Sequence, residues 1–292
     1  MKILYIIVLL ISSSHSINIA TTFKPITSIV IALCDGVDGV EIHQILDDKL
    51  SPHSASISPS GSKFVKECDL IIGIGSSFET GLSKIFSKYS NKSIELQKIE
   101  GINILNSRNK CGHHHSHHHH NDVDGHFWVD PIRMKVAVYF ICKKILEIKK
   151  DEKITNNLKK IIKQLDVLHM DFLNAFSKIN KEYLITHDSL QYLDSRYGLK
   201  CKGVIFSNNK KVSAKNLKKI SMEIKKTPFV FYEYGFDVKK ISEFTGNYNI
   251  SYKLIDITGY DVCLNKHSYF TMMDNVKNEI VKCLSKKTQK LH

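Results

Sequence analysis

Past residue 11 this chain has no apolar stretch approaching the roughly 18 residues of a membrane span. It also lacks a CxxC pair, a Cys at the end of its leading apolar run, an HExxH motif and a Ser nucleophile elbow. A membrane span, a lipidated N-terminus and the common zinc-protease and serine-hydrolase signatures are thereby unsupported. Arg is scarce: the 42 Lys and Arg residues that give a net charge of +13 are almost all Lys, spread along the chain. A nucleic-acid partner calls for Arg and aromatic side chains clustered on one reading surface, so none is expected. The charge suits solvated helix faces and a loose attraction to an anionic membrane surface.

What is present begins at the N-terminus. Lys2 precedes the apolar run Ile3 to Ile11, and Ser12-Ser13-Ser14-His15-Ser16 supplies small residues for cleavage. Residues 1–16 read as a secretory signal, which places the mature protein outside the cytoplasm, in the periplasm. Seven Cys is an odd number for an exported chain, so at least one stays unpaired within it, and Cys263 and Cys283 can bridge in an oxidising compartment.

The rest of the chain predicts an α/β protein: two similar lobes with parallel sheets, joined by one long rigid helix. Strands are expected at Asn18 to Phe23, Val40 to Leu46, Asp69 to Gly75 and Ile102 to Leu105, with helices from Pro25, from Ser60 and over Glu79 to Tyr89. Asp69 to Gly75 is apolar without alternation, as suits a parallel strand covered on both faces. Asp130-Pro131 is an N-cap followed by Pro at the first helical position. From Lys153 to Lys178 apolar residues recur at helical spacing without Gly or Pro, long enough to cross a small domain. The strand–helix rhythm then restarts: strands at Tyr183 to Thr186, Lys202 to Phe206, Phe229 to Tyr232 and Tyr252 to Ile257, helices at Ser189 to Tyr197, Ala214 to Lys225, Val238 to Thr245 and Ser268 to Ser285. This divides the mature chain into a lobe at 17–152, a linking helix at 153–178 and a lobe at 179–292.

His113, His114, His115, His117, His118, His119 and His120 form a dense tract inside a loop at 111–125. Neutral imidazole is the commonest ligand of Zn²⁺ and its neighbours, so the tract binds transition metals, loosely and without fixed geometry. A tight site needs separate, rigid ligands. His53 follows a strand in Leu50-Ser51-Pro52-His53, His126 precedes the capped helix, and His187 ends a strand in Leu184-Ile185-Thr186-His187-Asp188. Ligands of open α/β sheets gather at that edge. Taken singly, each of the three reads more readily as an ordinary surface or supporting histidine than as a ligand.

As a set they carry a resemblance. Pro52-His53, Ser58-Pro59-Ser60 and Cys68-Asp69 are similar to the "PH…PS…AD" stretch of the periplasmic zinc and manganese receptors of ABC importers. Gly125-His126-Phe127-Trp128-Val129-Asp130-Pro131 resembles their "PHxWxDP", with Gly where Pro is usual. His187-Asp188-Ser189-Leu190-Gln191-Tyr192 and Tyr197-Gly198-Leu199 resemble "HDAxxYFxxxYGL", while Phe231-Tyr232-Glu233 and Leu254-Ile255-Asp256 echo "FxE" and "LDPLG". The resemblance implies one metal between the lobes, with His53 and His126 as ligands from the first lobe and His187 from the second. Asp256 matches a carboxylate ligand of many members, though a water or a strand-end capping role fits it too, and Glu233 matches a supporting acid. An embedded His-rich loop, and His rather than a carboxylate at 187, imply Zn²⁺ as the cargo, a monomer that is not an enzyme, and the membrane permease of an ABC zinc importer as partner. The tract would gather zinc for the site. A manganese or iron receptor, a secreted zinc hydrolase and a metal-coated adhesin are the alternatives.

Overall fold

The structure, a computed structural model, describes residues 16–108, 123–205, 222–223, 227, 229–237, 239 and 250–285. The signal segment 1–15, the whole histidine tract and nearly all of the helices expected at 214–225 and 238–245 lie outside the described residues. Among the described residues no helix is long and apolar enough to cross a membrane.

The first lobe is a four-stranded parallel sheet in the order β2-β1-β3-β4, formed by Ile17–Thr21 (β1), Val40–Gln44 (β2), Leu70–Gly73 (β3) and Ser93–Glu95 (β4). Between them run α1 (Lys24–Leu33), α2 (Pro59–Glu67) and α3 (Ser83–Lys88), the crossovers that parallel pairing requires. The sheet is covered on both faces, as the unbroken apolar run at 70–73 predicts. Ile17, Ile19, Leu70 and Ile72 face the main core, while Ala20 and Ile71 point to a smaller cluster with Val65, Leu82 and Phe86. A short antiparallel ladder follows, pairing β5 (Leu105–Asn106) with β6 (Val123–Asp124).

The second sheet is also four-stranded and parallel, in the order β10-β9-β7-β8, from Glu182–Ile185 (β7), Lys200–Val204 (β8), Phe229–Tyr232 (β9) and Ser251–Leu254 (β10). Numbered within each lobe, both sheets run 2-1-3-4, so the two lobes repeat one topology. The helix α6 (Gln191–Tyr197) crosses from β7 to β8 and closes on Gly198 in the left-handed region.

Two long helices lie between the two sheets along the chain. The helix α4 (Pro131–Ile148) starts where expected: the Asp130 carboxylate accepts the Ile132 amide and Pro occupies its first turn. The linking helix α5 (Glu152–Phe176), capped by Asp151, spans 25 residues, or about 38 Å at 1.5 Å per residue. Its buried stripe, Ile154, Ile161, Leu165, Leu168, Phe172 and Phe176, joins a core that runs without interruption through both lobes. The final helix α7 (Ser268–Ser285) packs against α1 and α5.

Several sequence expectations need correction. The helix expected over Glu79 to Tyr89 is split into a 3₁₀ turn at Thr80–Leu82 and α3. The strand expected at Ile102 to Leu105 reduces to β5, because Gly101 and Asn103 both take positive φ. Cys263 is a free, exposed thiol, so the bridge to Cys283 is not formed.

Candidate metal centre

The three histidines singled out in the sequence converge between the lobes. His53 stands on the turn after β2, His126 on the bend between β6 and a 3₁₀ turn at Phe127–Val129, and His187 on the loop after β7. One ring nitrogen from each lies within 4.8 Å of the other two, and His53 Nε2 is 3.2 Å from His126 Nε2. A tetrahedral Zn²⁺ with nitrogen donors at about 2.0–2.1 Å sets donors roughly 3.3–3.4 Å apart, so this pair already spans one tetrahedral edge.

Two of the rings are held from behind by carboxylates. His126 Nδ1 is 2.6 Å from Asp124 Oδ1, which also accepts the His126 backbone N–H at 2.9 Å. His187 Nδ1 lies 3.4 Å from Glu233 Oε1, and the Ser189 hydroxyl donates to that carboxylate. The His53 turn is tied down by its carbonyl, which accepts the Thr80 hydroxyl at 2.7 Å. Metal-binding histidines commonly have such an outer partner, which fixes the tautomer and ring orientation. Phe78 adds a wall, with its ring centroid 4.1 Å from His53 and 4.9 Å from His126. That wall explains Gly125 where Pro is usual: a Cβ there would meet the Phe78 ring at 2.4 Å.

Electrostatics divides the rings. Burial drives His53 well below its ordinary range, and its two histidine neighbours push the same way. His126 falls to about 3, chiefly by burial and then by His187. For His187 burial acts downward too, but Glu233 and the carboxylates beyond it prevail and raise the imidazole. Asp124 is pushed up to about 7 by burial. Two of the three imidazoles are thus neutral near pH 7 with lone pairs available to a cation.

The site opens into a cleft of about 40 Å³ between the lobes, lined by Asp48 to His53, His126, Trp128, Glu233, Tyr234 and Ile255 to Thr258. At 10–15 Å³ per water-sized probe, that room suits an ion with a few waters rather than an organic solute.

Asp256 lines this cleft but does not join the cluster. Its carboxylate accepts the amides of Thr258 at 3.1 Å, Gly259 at 2.8 Å and Asp261 at 3.1 Å, as a strand-end cap does. Asp130 and Asp188, the other acids near the motifs, serve arginines: Arg133 and Arg196 on Asp130, Arg108 on Asp188. The carboxylate that sequence reasoning missed is Asp124. Its signal is its place two residues before His126, obscured because it falls inside the loop assigned to 111–125.

Comparison with known proteins shows the family and the fold. The family model for the periplasmic component A of zinc-uptake complexes matches residues 19–283. The high-affinity zinc uptake system protein ZnuA of Yersinia pestis is 27% identical over 294 residues, covering 92% of each chain, and that of Haemophilus ducreyi is 27% identical over 292 residues, covering 92% of this chain and 93% of its own. Among solved structures, a zinc-bound ZnuA deletion mutant superposes with a TM-score of 0.78 at 20% identity, over 94% of this chain and all of the other. The periplasmic zinc-binding protein TroA from Treponema pallidum gives 0.77 at 17% identity, over 92% of this chain and 99% of its own. The chain belongs to the ZnuA family of periplasmic zinc-uptake components.

Proposed function

We propose that this chain is an exported receptor that captures one Zn²⁺ between its lobes, through His53, His126 and His187, and delivers it to the membrane permease of an ABC importer. Family membership favours the receptor over the secreted hydrolase and the adhesin considered from sequence. The observation that carries the ligand assignment is the triad itself, with ring nitrogens within 4.8 Å of one another and a carboxylate behind both His126 and His187. Three imidazole nitrogen donors favour Zn²⁺ over Mn²⁺, which stands lower in the affinity order and prefers oxygen. With Asp256 engaged by its own loop, a water from the cleft supplies the fourth donor. The tract from His113 to His120 serves as a separate, weak collector. The test is zinc titration against a chelator on mature protein lacking residues 113–120. One tight zinc per chain, lost in His187→Ala, supports the reading. No tight zinc, or a tight zinc indifferent to His187, overturns it.

A further inference from the structure

The loop from Asp256 to Val262 is gripped by the other lobe through four of its carbonyls, those of Ile257, Gly259, Tyr260 and Val262. Its amides at Thr258, Gly259 and Asp261 turn inward onto the Asp256 carboxylate. With the N–H groups facing in, and Gly259 in the left-handed region at φ 75°, the carbonyls face out. Three of them accept from one ammonium: Lys24 Nζ, at the start of α1, lies 2.7 Å from the Gly259 carbonyl, 2.9 Å from that of Val262 and 3.3 Å from that of Tyr260. A fourth, that of Ile257, accepts Trp128 Nε1 at 2.8 Å.

Lys24 is 5% exposed, and its remaining partner is Asp48 at 2.9 Å. A dry ammonium is tolerated only when fully partnered. Parting the lobes at this loop strips three carbonyls from it at once and must readmit water. The grip also reaches the metal centre from both sides. Trp128 packs its ring 5.1 Å from His126, and Asp48 lies on the segment between β2 and the His53 turn, lining the same cleft.

We propose that Lys24 is a positioning residue for metal retention: it latches the 256–262 loop of the second lobe onto the first and thereby slows zinc release. The latch's role in retention rests on the zinc-receptor reading above, while the latch itself exists without metal. A latch of this kind acts on the dissociation rate, where most differences among related complexes reside.

The test compares wild type with Lys24→Met and Trp128→Phe, all lacking residues 113–120. Amide exchange is measured on the metal-free proteins, and zinc release by chelator chase. Losing hydrogen bonds to a buried charge predicts at least about tenfold faster release from Lys24→Met, with association within about twofold. The Thr258, Gly259 and Asp261 amides should exchange at least about tenfold faster while α5 amides keep their protection. Trp128→Phe, which removes one carbonyl contact of the four, should move both quantities in the same direction by less. It keeps the question open to refutation should Lys24→Met fail to fold. Unchanged loop exchange in a folded variant refutes the latch, and faster exchange with unchanged zinc release refutes its role in retention. A wild-type chain that retains no zinc overturns the receptor reading instead, and the exchange measurement still decides the latch.

Discussion

Asp124→Asn separates metal-site electrostatics from folding. The Asp124 carboxyl is buried at 5% exposure, its Oδ1 serves both the His126 ring and the His126 amide, and its Oδ2 has no hydrogen-bond partner among the described residues. Asn is nearly isosteric and still offers one oxygen, but it cannot carry the charge that makes His126 a stronger donor to a dication. Removing an outer partner of this kind costs about 10–100-fold in metal affinity, or roughly 1.4–2.7 kcal/mol. The metal-free fold should lose much less, because burial already pushes this carboxyl up to about 7 and neutralising it there is nearly free. Chelator competition near pH 8, on protein lacking residues 113–120, reads the first quantity, and thermal unfolding of the metal-free protein reads the second. Affinity within about twofold of wild type would refute the reasoning that Asp124 tunes His126. A loss of affinity explained wholly by unfolding would refute it as well.

Glu233→Gln removes the charge that holds the His187 imidazole above its ordinary range. The His187 resonances should then titrate at lower pH in the metal-free protein, and zinc affinity should fall by about tenfold or more. Zinc affinity should also fall on acidification from about pH 7 downward. The sign follows from the groups that must shed protons before metal binds: His187 is raised and the Asp124 carboxyl sits at about 7, while His53 and His126 are already neutral. Calorimetry in two buffers of different ionisation enthalpy counts the released protons; flat affinity between about pH 7 and 5.5 would contradict the assignment. Phe172→Ala, in the fully buried stripe of the linking helix, should cost about 3–5 kcal/mol in denaturant unfolding and leave one zinc per folded chain.

Much of this architecture is legible in the residues. The linking helix announces itself by apolar spacing and by the absence of Gly and Pro, and its observed span of Glu152–Phe176 lies within two residues of the expected one. Asp130-Pro131 marks the start of α4 by side-chain chemistry alone. The three histidines are legible as a set because each stands in a motif of the family. What escaped depends on tertiary contact. The edge strand Ser93–Glu95 is three residues long with polar ends, too short to show a period. The 3₁₀ turn at Thr80–Leu82 interrupts a helical pattern near a hydroxyl drawn to the His53 carbonyl, a contact 27 residues away in sequence. Asp124 supports His126 only because β6 pairs with β5 and places it there, and Asp256 is occupied by amides whose direction depends on the loop's own turn.

The most direct test of the central claim is zinc K-edge absorption, with anomalous diffraction, on the zinc-loaded chain lacking residues 113–120. One zinc should be bound by three imidazole nitrogens at about 2.0–2.1 Å, from His53, His126 and His187, with a water oxygen completing the shell. A zinc bound by Asp256 in place of any of these histidines, or fewer than three nitrogen donors, would contradict it.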